Sequence, residues 1–236
     1  HNSPEFYTKL DGWLGTLYRH DGEFKVASRG SFHSTGAQWA TQWIQSKNLS
    51  HLDDRVTLVF EIIEPSHRII LDHGEGRLVI LAAFNRLSQH EYHRKAVEAL
   101  AKEADISVVE THNGMSLDKA LAYAASNRDS EGFVVRFADG QRVKIKTDWY
   151  CNIARYLQRL SPVSVWTAMK TDESLKDMRA ALPPELSTTF EKIVTELSLQ
   201  YDTEARRVKT YADHMIAKHG DDRKQIALHQ ECQRHD

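Results

Sequence analysis

The feature that most limits the folds open to this sequence occurs twice: an Asp-Gly pair set between two strand-forming runs. Asp21-Gly22 stands between residues 13–20 and 23–29, and Asp139-Gly140 between residues 133–137 and 141–146. A two-residue Asp-Gly loop favours the type I′ turn, whose twist matches the strands it joins and whose central residues take positive φ. Each pair therefore predicts an antiparallel hairpin. Residues 56–63 alternate between the two, with Val56, Leu58, Phe60 and Ile62 on one side and Thr57, Val59, Glu61 and Ile63 on the other. Residues 68–71 and 77–84 read as further strands, and residues 91–104 and 117–126 as helices.

After residue 160 the pattern changes. Ser161-Pro162 reads as a helix cap followed by proline in the first turn. Pro183-Pro184 interrupts the chain, and Phe190, Ile193, Val194, Leu197 and Tyr201 then recur at helical spacing. The expectation is an α+β chain with an antiparallel-sheet domain over residues 1–160 and a small all-helical domain over residues 161–236. A chain of 236 residues, 41% hydrophobic, can bury a core of this kind. Its formal net charge of −2 gives no global basic signature, so any nucleic-acid surface must be a local patch. Cys151 and Cys232 lie far apart and suggest no disulfide framework, which fits a reducing cytoplasm. No apolar run approaches the ~20 residues of a membrane span, and no signal peptide is visible.

Four short segments carry chemistry: Lys9-Leu10-Asp11-Gly12, Phe60-Glu61-Ile62, Glu131-Gly132-Phe133-Val134 and Lys144-Ile145-Lys146. They supply an amine, two carboxylates and a pair of cations. A two-residue turn at Asp139-Gly140 would set Val135 opposite Lys144 and Phe133 opposite Lys146. Lys144 and Lys146 would then share one face, with Glu131 diagonal to Lys146 on that face. A solvated edge with surface ion pairs would produce the same pattern. Arg29 falls opposite Leu14, on the face of Gly12, within reach of a phosphate near Lys9 or simply exposed at a strand end. Glu61 lies between Val59 and Ile63 on its own face, and a carboxylate there needs partners. Ribose hydroxyls or a nearby cation would both serve.

The ordered set resembles the covalent nucleotidyltransferase superfamily, and most closely the bacteriophage T4 RNA ligase 1 type of ATP-dependent RNA ligase. The run Phe60-Glu61-Ile62-Ile63-Glu64-Pro65-Ser66-His67-Arg68-Ile69-Ile70 resembles the family's F-E-x-x-x-P-x-x-R-I-V, and Lys144-Ile145-Lys146-Thr147-Asp148-Trp149-Tyr150 its K-I-K-S-D-W-Y. The likeness is good over residues 7–155 and faint beyond. It implies an ATP-grasp-like nucleotidyltransferase domain that uses ATP with Mg2+ or Mn2+. Lys9 would attack the α-phosphorus and become adenylated. An RNA 5′-phosphate would then take the AMP, and an RNA 3′-hydroxyl would displace it. Lysine attacks only as the neutral amine, and neighbouring cations favour that form. Lys144, Lys146 and Arg29 would supply that field and offset phosphate charge, Glu131 would orient Lys9, and Tyr150 would help bind the nucleotide or the RNA end.

Asp172, within Thr171-Asp172-Glu173-Ser174, resembles an acidic residue near the family's metal, although Thr171 also reads as a helix cap with acidic residues in the first turn. The implied partner is RNA with 3′-hydroxyl and 5′-phosphate ends, such as a nicked tRNA, joined by a monomer. Two departures stand out. The family has an arginine well upstream of its lysine that binds the distal phosphates, and the eight residues ahead of Lys9 leave no room for it. The sequence therefore reads as beginning inside a larger protein. A family tyrosine after the R-I-V run corresponds to His73, which leaves the adenine-stacking residue unnamed. Among the thirteen histidines, His90 and His93 lack H-E-x-x-H spacing, and a helix start explains them better than zinc.

Two other readings share these motifs. A capping or DNA-ligase relative would carry a β-rich domain after the last motif, where strand signals are lacking. A non-catalytic RNA-end-binding module of a larger repair protein would keep the fold and lose the covalent step.

Overall fold

The computed structural model describes residues 3–67, 69–220 and 222–228. The chain divides into two compact units, His1–Ala154 and Arg155–Asp236. The first carries eight strands among its described residues: β1 (Glu5–Thr8), β2 (Trp13–His20), β3 (Glu23–Ser28), β4 (Val56–Ile63), β5 (Arg77–Asn85), β6 (Ser107–Val108), β7 (Gly132–Arg136) and β8 (Arg142–Lys146). Helices α1 (Thr35–Gln45), α2 (Arg94–Ala104) and α3 (Leu117–Ser126) lie between them, and α4 (Asp148–Arg159) runs across the division between the units. The strands form two sheets, ordered β1-β7-β8 and β3-β2-β4-β5-β6. All pairings are antiparallel except β5 with β6, so the larger sheet is mixed. The architecture is α+β, as expected.

Period-two alternation builds the core. Leu17, Val26, Leu58, Phe60, Ile62, Leu78 and Ile80 share one face of the larger sheet and pack with Ala40 and Ile44 of α1 and Val97, Ala101 and Ala104 of α2. On the opposite face, Ile63 and Val79 are buried with Val109 beneath Tyr7, Leu10 and Leu81. Phe6, Phe133, Val135 and Ile145 of the smaller sheet pack on Ala120 and Ala124 of α3.

The first hairpin follows the prediction. His20 pairs with Glu23, leaving Asp21 and Gly22 as a two-residue loop at φ 51° and 81°. The second departs from it by one residue. Phe137 N donates to Gln141 O, Gly140 N donates to Phe137 O, and Gly140 takes φ 86°, so the loop is Ala138-Asp139-Gly140. Asp-Gly suits the last two positions of a three-residue loop as well as a two-residue one. The extra loop residue sets Val134, not Val135, opposite Lys144, and Gly132, not Phe133, opposite Lys146.

Residues 69–71 are not a strand; a 3-10 turn at Pro65–His67 precedes them, and Arg68 lies outside the described residues. The helix expected from residue 91 begins at Arg94, because the His93 ring caps it by accepting from Ala96 N at 3.2 Å. Glu91 instead forms an antiparallel bridge with Phe84. Strands β1 and β6 and helix α1 had no clear sequence signal.

The second unit is helical throughout its described residues: α5 (Pro162–Ala168), α6 (Asp172–Ala180), α7 (Ser187–His219) and α8 (Arg223–Leu228), with a 3-10 turn at Pro184–Leu186. Ser161 caps α5 by accepting from Ser164 N, with Pro162 in the first turn. Phe190 and Met215 anchor α7 from near its two ends. No described helix is long and apolar enough to cross a membrane.

Candidate active site

Lys9 follows β1 directly. Pairing of Thr8 with Phe133 and a 2.9 Å hydrogen bond from Lys9 N to Gly132 O hold its backbone beside β7. Its ammonium lies 2.7 Å from Glu131 Oε1, and the ammonium of Lys146 lies 2.9 Å from the same oxygen. Glu131 is 3% exposed and the Lys9 side chain 15%. Two cations thus converge on one buried carboxylate.

The observed register does not by itself bring Glu131 to the lysines. With Gly132 opposite Lys146, strict alternation would turn Glu131 toward the side of Phe133 and Val135. Gly132 breaks the alternation at φ 128°, and a Cβ there would lie 2.0 Å from Ile145 O. Only glycine fits this conformation and contact. The Glu131–Lys146 contact that the sequence suggested is present, but a backbone irregularity produces it.

A second glycine joins the sheets. Gly12 N donates to Glu61 Oε1 at 3.0 Å, and a Cβ on Gly12 would lie 2.5 Å from Ile62 O. The segment after Lys9 can therefore lie directly on β4. Burial pushes the Glu61 carboxyl up to about 7; the charge of Lys9 opposes this and that of Glu131 adds to it.

Asp11, the third residue of the Lys9–Gly12 segment, is a buried hub. Its Oδ2 accepts from Ile70 N at 2.8 Å and Leu71 N at 2.7 Å, and its Oδ1 from the Tyr150 hydroxyl at 2.6 Å. Asp11 N donates to His73 Nε2 at 3.2 Å. Burial and this bond to Asp11 raise the Tyr150 hydroxyl pKa, and burial lowers that of His73. Lys146 Nζ lies 4.8 Å from the Tyr150 ring centroid. Thr147 is fully buried, donates to Ser130 O and accepts from Tyr150 N, which fixes the start of α4 to the segment before Glu131.

The structure brings Lys9, Glu61, Glu131, Lys146 and Tyr150 into one neighbourhood linked by direct contacts or charge. Lys144 is exposed on β8, on the face of Lys146. Arg29 is exposed just past β3, and among the described residues no contact joins it to Lys9. Asp172 opens α6 behind the Thr171 cap, which accepts from Ser174 N at 3.2 Å; the Asp172 side chain lies outside the described residues. Among the described residues no three metal-ligating side chains gather.

Residues 1–150 match a protein-family model described as RNA ligase, of the T4 RNA ligase 1 type. The chain belongs to this family. Among solved structures, the RNA ligase of Naegleria gruberi with PPi is similar at 18% identity and TM-score 0.51, over 64% of this chain and 51% of that one. A lysine-to-alanine mutant of the same ligase, with ATP and Mn, is similar at 19% identity and TM-score 0.52, over 64% and 51%. At such identities the likeness is one of fold. The chain spans about half the length of these ligases.

The donor set suits a nucleotide. Among the described residues Glu61 accepts from Gly12 N, and as a carboxylate it can accept several hydrogen bonds, so it retains capacity for hydroxyl donors. Lys9, Lys144 and Lys146 carry positive charge, the sign that phosphate groups require.

Proposed function

We propose that this chain is an ATP-dependent RNA ligase that joins RNA 3′-hydroxyl and 5′-phosphate ends through a lysyl-AMP and an RNA-adenylate. The observation that carries the reading is the convergence of Lys9 and Lys146 on one oxygen of Glu131. Lys9 Nζ forms a bond to the α-phosphorus as the bond to pyrophosphate breaks, and Glu131 is the acceptor within reach of the amine's proton. Lys146 and Lys144 offset charge on the phosphate in transfer, and Arg29 adds a third cation for the phosphates. Glu61 accepts from the ribose hydroxyls. Tyr150 contributes by fixing Asp11 and lies under Lys146.

On this reading residues 1–160 are a nucleotidyltransferase domain of ATP-grasp-like type and residues 161–236 a helical domain. ATP with Mg2+ or Mn2+ is the cofactor set, as in the similar ligase that holds ATP and Mn. The roles above are those of the chain's own groups. The setting is RNA repair in the cytoplasm by a monomer, with a nicked tRNA as one substrate of the right chemistry.

The test is labelling with α-labelled ATP followed by denaturation. Label that survives on the wild type and is lost in Lys9→Ala, with Lys146→Ala reduced at least tenfold, supports the reading. Labelling by GTP instead points to capping chemistry. An unlabelled protein that still binds RNA ends would be a non-catalytic module.

A further inference from the structure

The face of the larger sheet that bears Glu61 continues beyond it, and half of that face is open. Leu14 sits directly opposite Glu61, so the two share a face, and Thr16 and Tyr18 extend the same row along β2. On the β4–β5 side this face is buried around Ile63 and Val79. On the β2–β3 side it holds exposed apolar groups: Leu14 is 43% exposed and Phe32 60%. Phe32 meets the Tyr18 ring edge-on, with centroids 5.2 Å apart at 72°.

The loop that presents Phe32 is tightly built. Ser28 N and Ser28 Oγ both donate to Ser31 O, His33 N donates to Ser31 Oγ, and Ser34 Oγ donates to Ser28 Oγ while capping α1. A large ring held outward by an ordered loop is poised for a contact rather than left over from packing. Cations flank it. Lys25 pairs directly with Tyr18 across β2–β3, with its ammonium 3.6 Å from Glu23, and Arg29 stands exposed just past β3, one residue beyond the Gly15–Ser28 pair.

We infer that Leu14, Tyr18 and Phe32, flanked by Lys25 and Arg29, form a stacking track for single-stranded RNA that leads into the Lys9–Glu61 site. The exposed Phe32 ring would take a base face, with Leu14 and half-buried Tyr18 continuing the apolar surface, and the two cations would take the phosphates, which is how proteins hold single strands without reading sequence. The inference rests on the RNA-ligase reading and names where its polynucleotide lies.

The experiment measures anisotropy of a fluorescein-labelled single-stranded oligoribonucleotide with the full chain. Phe32→Ala should weaken binding about tenfold, the size of one lost base–aromatic stack. Phe32→Trp should restore it, and binding of a duplex RNA should be indifferent to both changes. Wild-type affinity in Phe32→Ala overturns the track. So does equal loss in the alanine and tryptophan variants, or equal loss for duplex. Lysine labelling by α-labelled ATP separates the two ideas. A labelled wild type whose RNA affinity ignores residue 32 sinks the track alone, whereas absence of lysine labelling sinks the ligase reading.

Discussion

Glu61 carries a proton balance that can be measured without any substrate. Its carboxyl has an ordinary value of 4.5 and rises to about 7 in the fold, chiefly because burial penalises the charged form. Between those two values the unfolded chain ionises while the folded one keeps its proton, so stability falls as pH rises through that window and levels off above it. At ~1.36 kcal/mol per pH unit the loss is about 3 kcal/mol. Glu61→Gln should remove most of that decline. Denaturant midpoints of both proteins from pH about 5 to about 8 would check it, and parallel curves would show that Glu61 is not the group responsible. The same ionisation should strengthen ATP binding by the wild type above neutral pH, since the carboxylate is the better acceptor for hydroxyls. The groups of the candidate site were legible because Lys9, Glu61, Glu131 and Lys146 each sit in a short, ordered motif. Asp11 was not. Two of its donors are backbone N–H groups at Ile70 and Leu71, and the third comes from Tyr150, 139 residues away. Backbone donors have no side-chain signature, and nothing local to Asp11 names them.

At the scale of an element, the β7–β8 hairpin separates what alternation can predict from what it cannot. The sequence showed two strands and a turn, and both are present. It did not show the register, because Asp139-Gly140 satisfies a two-residue and a three-residue loop alike. A one-residue difference puts Val135 and Phe133, the expected partners of Lys144 and Lys146, on the other face from the lysines. Glu131 still reaches the lysines because Gly132 undoes the consequence locally. Two glycines of this hairpin therefore differ sharply in what a methyl group would do. At Gly140, φ is 86° and a Cβ would meet nothing within 4 Å, so Gly140→Ala should cost about 1–2 kcal/mol of backbone strain. At Gly132 the same change also places a Cβ 2.0 Å from a backbone oxygen, which cannot yield as a flexible side chain would. Gly132→Ala should cost more than about 4 kcal/mol and should abolish lysine labelling even where the protein stays folded, because Glu131 is displaced. Chemical denaturation of the two variants checks the ranking, and equal costs would contradict the role given to Gly132.

At the scale of the whole first unit, the site exists only where two sheets meet. Lys9, Glu131 and Lys146 are carried by the three-stranded sheet, whereas Gly12 and Glu61 belong with β4 of the larger one. The relative placement of the sheets thus sets the geometry of the candidate site. One ion network spans them away from the site. Glu91, bridged to Phe84 at the end of β5, pairs with Arg142 of β8 and lies 3.4 Å from Arg136 Nε of β7, whose Nη1 is 3.2 Å from Glu5 of β1. The Glu91 side chain is 18% exposed, so the pairs lie between the surface and buried limits, and removing the carboxylate leaves two arginines without their shared partner. Glu91→Gln should cost about 2 kcal/mol, or roughly 4–8 °C in Tm for a chain of this length. Raising salt from about 0.05 M to about 1 M should narrow the gap from wild type, because screening then acts within ~3 Å. The functional effect should fall on the alignment of Glu61 with Lys9, so KM for ATP in the labelling reaction should rise more than the labelling rate falls. If the variant instead lost stability while KM stayed unchanged, the network would hold the sheets together without setting their alignment. The start of α3 at Leu117, the Ser161 cap and the existence of both hairpins could be read from local signals, but this staple could not: Glu5, Glu91, Arg136 and Arg142 come from four separate segments, and only the folded topology makes them neighbours.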